Sequence, residues 1–260
     1  MDAETVLITG ASSGIGSELA RCFAEGGSDL VLVARREDRL RELARNLTSR
    51  HGVKVRVLPK DLNLPAAGRE IEDDLRNAGI QIDVLVNNAG FGDRGAFSEL
   101  ELERQMKMVQ VNTGVVTELT RRFLPGMIER RRGGVLNVAS AAAFQPGPLM
   151  SVYYATKAYV LHFSEGIAEE LAGTGVSATC LCPGPTVTEF GADSHMEGTL
   201  LFRMGAMPAV RVARAGYNGF RAGKVIVIPG LRNKLVAFSV RTSPRAVVRK
   251  IVKLLHRGPV

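Results

Sequence analysis

A phenol and an amine stand four residues apart at Tyr153 and Lys157, with a hydroxyl upstream at Ser140 and a carboxamide further upstream at Asn112. On a helix, positions i and i+4 share a face, so the Lys157 ammonium is expected near the Tyr153 oxygen. A neighbouring cation favours phenolate and lowers a pKa that is about 10 in a free side chain. Such a phenol can exchange a proton with a carbonyl or alcohol oxygen while hydride moves to or from the attached carbon. In that chemistry Ser140 would bond the reacting oxygen, and Asn112 would hold water in a relay that returns the proton through Lys157. Tyr154 is adjacent and lies i, i+3 from Lys157, so the residues by themselves offer two phenols.

Hydride chemistry needs a carrier, and the segment Thr9 to Gly16 supplies a place for one. Gly10, Gly14 and Gly16 let a diphosphate approach the backbone, Ile15 sits among them, and Ser12 and Ser13 add hydroxyl donors. The helix opening at this turn offers free N–H groups and a positive dipole end. At the end of the second strand the chain reads Val33-Ala34-Arg35-Arg36, with no carboxylate to accept a ribose 2′-hydroxyl. Arg35 can present a planar fork to a 2′-phosphate and stack on adenine, which favours NADP(H) over NAD(H). Asp61, with Leu62 beside it, either bonds the adenine amine or caps the next helix.

Elements able to position these groups are legible as alternating patterns. Apolar runs at Thr5–Thr9, Leu30–Ala34, Val53–Leu58, Val84–Asn87, Val135–Ala139, Val176–Leu181 and Lys224–Ile228 predict strands, and amphipathic stretches fill most of the gaps. Near-continuous apolar strands belong to a parallel sheet covered on both faces, so an α/β, doubly wound architecture is expected in one domain over residues 1–260. Helices are predicted over Gly14–Glu25, Glu37–His51, Tyr153–Ala172 and Pro244–Leu255, the last with Pro244 at its first position behind Ser243.

The formal charge of +8 is unevenly placed: from Gly198 to Val260 there are thirteen Lys/Arg and no Asp or Glu. Solvated helix faces that complement acidic patches account for this, as would attraction to anionic lipid or to an acidic or acyl-carrier-linked substrate. Nucleic acid is disfavoured, because aromatic residues are few among these charges. The chain enters its first strand without the basic and apolar regions of a secretory signal, so a cytoplasmic location is expected. Cys22, Cys180 and Cys182 are expected as buried inert thiols, with no metal site. His51, His162, His195 and His256 are scattered, and none is placed as the base of a triad.

These residues resemble the short-chain dehydrogenase/reductase family from about Thr5 to Thr188. The resemblance rests on Thr-Gly-x-x-x-Gly-x-Gly at Thr9–Gly16, Asn87-Asn88-Ala89-Gly90, Asn112, Ser140, Tyr153-x-x-x-Lys157 and Pro183-Gly184. It implies a Rossmann-type sheet of seven strands ordered 3-2-1-4-5-6-7, and dimers or tetramers. It also implies cofactor contacts at Gly10, Ile15, Asn87, Ala89, Gly90, Tyr153, Lys157 and the loop from Pro183 through Gly184 and Thr186 to Thr188. Thr186 stands where the family usually has valine. The interval from Ser140 fits the family at Tyr153, which selects Tyr153 over Tyr154.

The stretch of about 185–208 contains Phe190, Met196, Leu200, Leu201, Phe202, Met204 and Met207, an expected apolar lid followed by a basic C-terminal extension over about 231–260. Core packing competes as its explanation. An apolar ketone or aldehyde, as an acyl chain, steroid or aromatic compound, fits such a cover. The other reading of the chain is a non-catalytic NADP(H)-binding sensor or scaffold with its basic quarter on a membrane.

Overall fold

The computed structural model describes residues 3–203 and 205–257. The first strands are Thr5–Thr9 (β1), Asp29–Ala34 (β2), Val55–Pro59 (β3) and Val84–Asn87 (β4). Gly134–Val138 (β5), Ser177–Leu181 (β6) and Ile226–Val227 (β7) complete a wholly parallel sheet. Its order is β3-β2-β1-β4-β5-β6-β7, as expected. Direction of winding reverses between β1 and β4, and a crevice opens there beyond the strand ends, where α/β sheets bind ligands. The seventh strand is two residues long rather than five, registered on Cys180 and Leu181 alone.

Successive side chains leave a strand on opposite faces, and both faces are buried. Val6, Ile8, Leu30 and Leu32 pack with Leu19 and Phe23 of α1 (Gly14–Glu25) and Leu40 and Leu47 of α2 (Glu37–His51). Val212 and Phe220 of a C-terminal helix, Ala209–Arg221, close the same face. Leu7, Val31, Val33 and Leu85 face Ile71 and Leu75 of α3 (Ala67–Asn77) and, beyond them, the helices Val115–Glu129 and Ser151–Glu170. Helix α4 (Leu102–Val109) continues through one π turn, Gln110–Gly114, into α5 (Val115–Glu129). Helix α6 spans Ser151–Glu170.

Between β6 and β7 the chain forms two short helices, Glu189–Asp193 (α7) and Leu200–Arg203 (α8), and then Ala209–Arg221 (α9). Thr186–Val187 pairs with Met207–Pro208, which ties the base of this excursion together. The C-terminal helices are Leu231–Thr242 (α10) and Arg245–Leu255 (α11). Pro244 is the cap of α11 rather than its first residue, and Ser243 ends α10 by donating to the Ser239 carbonyl at 2.8 Å. Cys22, Cys180 and Cys182 are buried and free, with the last two sulfurs 3.7 Å apart. No group of metal-binding side chains occurs among the described residues, and no described helix is long and apolar enough to cross a membrane.

Candidate active site

Two glycines shape the turn after β1. Gly10 has a φ of +65°, and a Cβ there would lie 2.9 Å from the Ala89 Cα; at Gly16 a Cβ would strike the Gly10 carbonyl oxygen at 2.3 Å. Only hydrogen fits at either position, so α1 starts tight against the ends of β1 and β4. No side chain caps the first turn of α1, which leaves its N–H groups for an anion. That cradle, open to the crevice and without carboxylates of its own, fits a dinucleotide diphosphate.

The crevice is one cleft of about 1710 Å³. Gly10, Ser12, Ser13, Ile15, Arg35, Asp61, Leu62, Ala89 and Gly90 lie on its wall, as do Ser140, Tyr153, Lys157, Pro183, Gly184, Thr186 and Thr188. Gly14, Gly16, Asn87 and Asn112 do not. The Asn87 side chain is buried and donates to Thr120 Oγ1 at 3.1 Å and Asn137 Oδ1 at 2.8 Å. The Asn88 side chain reaches the cleft instead, clamping the glycine turn by donating to the Thr9 carbonyl at 2.9 Å. Asp61 caps no helix: α3 begins at Ala67, and Asp61 Oδ1 accepts from the Asn63 backbone at 3.0 Å and its side chain at 2.8 Å.

Arg35 is exposed on the cleft wall. Its neighbour Arg36 is the residue wired into the glycine turn, donating to Ser12 Oγ at 3.1 Å and Ser13 Oγ at 2.8 Å. Arg36 also pairs with Glu189 of α7 at 2.8 Å, and Arg39 reaches the same carboxylate. Hydrogen bonds from Arg39 and then Arg36 hold the Glu189 carboxyl down to about 2. Local sequence gave no sign of this latch, since its partners are 153 residues apart.

At the other end of the cleft, Ser140 follows β5 and caps the 3₁₀ turn Ala141–Phe144, accepting from the Ala142 N–H at 3.1 Å. Its hydroxyl makes a long 3.4 Å bond to the Pro183 carbonyl and faces the Tyr153 phenol, so both hydroxyls meet where a substrate oxygen would sit. Tyr153 opens α6, and its ring packs on Phe190 of α7 at 5.3 Å between centroids. Burial pushes the Tyr153 phenol up to about 12, and the Ser140 side chain pulls the other way by hydrogen bonding. Lys157 lies one turn on, its Nζ 5.8 Å from the Tyr153 ring centre, donating to the Val138 carbonyl at 2.9 Å. Burial brings the Lys157 ammonium down to about 8. Within the chain desolvation thus raises the phenol, and the group that lowers it is Ser140 rather than the expected Lys157.

Asn112 sits in the π turn, whose extra residue rotates it toward β4. Its amide donates to the Phe91 carbonyl at 3.0 Å and to Thr156 Oγ1 at 3.1 Å, and its oxygen accepts from the Phe91 N–H at 3.1 Å. These bonds fix the strand exit to α6. Gly90 lies in the angle between them, where a Cβ would come 3.0 Å from Asn112 Oδ1 and 3.3 Å from Lys157 Nζ. Tyr154 points elsewhere, its hydroxyl 2.9 Å from Nε2 of the buried His256.

Over the site, Phe190, Met196, Leu201 and Phe202 share one apolar cluster with Tyr153 and Met150 and also line the cleft. Leu200 is exposed, Met207 packs toward the sheet core while touching the cleft, and Met204 lies outside the described residues. Residues that line the cleft and residues that pack toward the sheet core are both present in this segment.

Comparison with known proteins gives a match of residues 4–197 to the short chain dehydrogenase family model. A very-long-chain 3-oxoacyl-CoA reductase of Rattus norvegicus is 34% identical over 184 residues, 69% of this chain and 58% of the relative. The chain thus spans about three fifths of the length of such curated relatives. The ketoacyl reductase HetN of a Nostoc species is 34% identical over 256 residues, 98% of this chain and 84% of the relative. A solved short-chain dehydrogenase from Sphingobium yanoikuyae in complex with NADPH superposes with a TM-score of 0.83 at 35% identity, covering 92% of this chain and 93% of that one.

Proposed function

The chain belongs to the short-chain dehydrogenase family, and we propose that it is an NADP(H)-dependent oxidoreductase that reduces an apolar ketone or aldehyde with Tyr153 as the general acid. The observation that carries this reading is the meeting of Ser140 and Tyr153 in an apolar part of the cleft, with Lys157 one turn behind. When bound, the reduced nicotinamide supplies hydride to the carbonyl carbon. Ser140, whose hydroxyl faces the Tyr153 phenol, orients the carbonyl oxygen. With its pKa raised to about 12, Tyr153 is protonated at neutral pH and holds the proton that oxygen needs. Charge on Lys157 favours the phenolate left behind, and the same ammonium reloads it. Asn112, held to Phe91 and Thr156, fixes the relative position of the β4 exit and α6, and its place beside Lys157 fits a role in proton return.

Preference for the 2′-phosphate rests on Arg35 and Arg36 at a strand end without a carboxylate, and the NADPH-bound relative supports it. An apolar substrate is supported by Phe190, Met196, Leu201 and Phe202 beside Tyr153. Two of the relatives are named for ketoacyl reduction, which makes an acyl-chain ketone the first compound to try. A homodimer or homotetramer, as the resemblance implies, and a cytoplasmic location are part of the proposal. Loss of nicotinamide absorbance across a carbonyl panel tests it: apolar ketones should turn over with NADPH, and turnover confined to small polar sugars or polyols contradicts it.

A further inference from the structure

Helices α10 and α11 each carry an apolar row on the outside of the molecule as well as one on the inside. Inward, Ala237 is buried in α10, and Val248 and Val252 of α11 join the cluster that contains Tyr153 and Tyr154. Outward, Leu231, Leu235 and Phe238 follow the i, i+4, i+7 spacing of a single helix face, and Val247, Ile251 and Leu254 repeat it on α11. All six are more than half exposed except Val247, at 46%. Isolated apolar side chains on a surface are ordinary, but two consecutive helices that each expose such a row leave apolar faces without cover from the described residues.

Charge identifies the partner. From Gly198 onward no carboxylate occurs. Among the described residues, Lys234, Arg241, Arg245, Arg249, Lys250 and Lys253 are exposed and make no ion pair, whereas Arg214 and Arg221 of α9 pair with Glu25 and Glu4. A second copy placed symmetrically on this face would set like charges against each other. An anionic lipid surface accepts both features, taking the apolar rows into the acyl boundary and the cations among the headgroups.

We propose that α10 and α11 form an in-plane docking surface for membranes that carry anionic lipid. Leu231 and Val236 of α10 also line the cleft, so docking sets its mouth at the bilayer. Helix α11 is joined to the catalytic helix, because His256 at its end bonds Tyr154 and the Pro148 carbonyl. This surface stands whether or not the proposed reaction does.

Sedimentation of the full chain with vesicles tests it directly. Binding is expected to phosphatidylcholine vesicles containing about 30% phosphatidylglycerol and not to phosphatidylcholine alone, with release in roughly 0.5 M salt. Phe238→Ser with Ile251→Ser, and separately Lys250→Glu with Lys253→Glu, should each weaken binding about tenfold or more, with turnover of a water-soluble carbonyl unchanged. The proposal is overturned if the wild-type chain ignores anionic vesicles, or if both variants bind as it does. It is equally overturned if the Phe238/Ile251 variant dissociates an oligomer in sedimentation velocity, or if an acidic acyl-carrier protein is retained where vesicles are not.

Discussion

Replacing Arg36 by alanine should reveal how the cleft distinguishes the two nicotinamide dinucleotides. Arg36 is held at the glycine turn by Ser12 and Ser13 and shares Glu189 with Arg39. A charge-assisted hydrogen bond to a phosphate contributes about 1.5–3 kcal/mol. Against that stands the pair with Glu189, whose side chains are 40% and 43% exposed; solvent-screened pairs of this kind contribute about 0–1 kcal/mol. The balance of about 0.5–3 kcal/mol corresponds to a loss of NADPH affinity between about twofold and about 140-fold, at tenfold for each 1.4 kcal/mol. NADH binding should change little. Glu189→Gln works in the opposite sense, freeing Arg36 and raising NADPH affinity by up to about fivefold. Fluorescence titration of both dinucleotides against wild type, Arg35→Ala, Arg36→Ala and Glu189→Gln reads all of this. An unchanged NADPH/NADH ratio in Arg36→Ala, with collapse in Arg35→Ala, would show that the exposed arginine is the reader and that Arg36 serves only the turn. No change in either would refute the phosphate argument.

Two other sites give separate expectations. Lys157 is charged below a pKa held down to about 8 and neutral above it, so kcat/KM for reduction should be level at lower pH and fall about tenfold per unit above that point. Lys157→Met should give a lower and flatter pH profile; a falling limb that survives this change assigns the titration to another group. Asn112→Ala removes the partner of the Phe91 N–H and carbonyl and the bond that Thr156 Oγ1 accepts. That costs about 1–3 kcal/mol, seen as a drop in thermal midpoint of about 2–4 °C per kcal/mol for a domain of this size. An unchanged midpoint would mean the clamp carries no stability.

Strand positions were legible because a parallel sheet buried on both faces demands near-continuous apolar runs, and Val6-Leu7-Ile8 or Val84-Leu85-Val86 have no other simple reading. Their order was not contained in those runs and came from the resemblance. Within the site, the glycine turn and the i, i+4 pair at Tyr153 and Lys157 are local patterns, and local patterns survive translation into a fold. The Arg36–Glu189 latch, the Asn112 clamp and the Tyr154–His256 bond join residues far apart in the chain, so no spacing announces them. Arg35 and Arg36 show the same limit: they are adjacent cations in the sequence, and only the fold shows that Arg36 meets Ser12 and Ser13 while Arg35 stands exposed on the cleft wall. Lys157 illustrates a second limit. Spacing gives proximity to a phenol, but the balance between cation and desolvation depends on how deeply the pair is buried.

Turnover of one carbonyl substrate with NADPH, compared between Tyr153→Phe and Tyr154→Phe, tests the central claim most directly. Tyr153→Phe should lower kcat by about a hundredfold to ten-thousandfold, the contribution of a positioned general acid, with NADPH binding retained. Tyr154→Phe should keep turnover within severalfold, because its hydroxyl is engaged with His256. Intact turnover in Tyr153→Phe, or loss in Tyr154→Phe alone, would contradict the account.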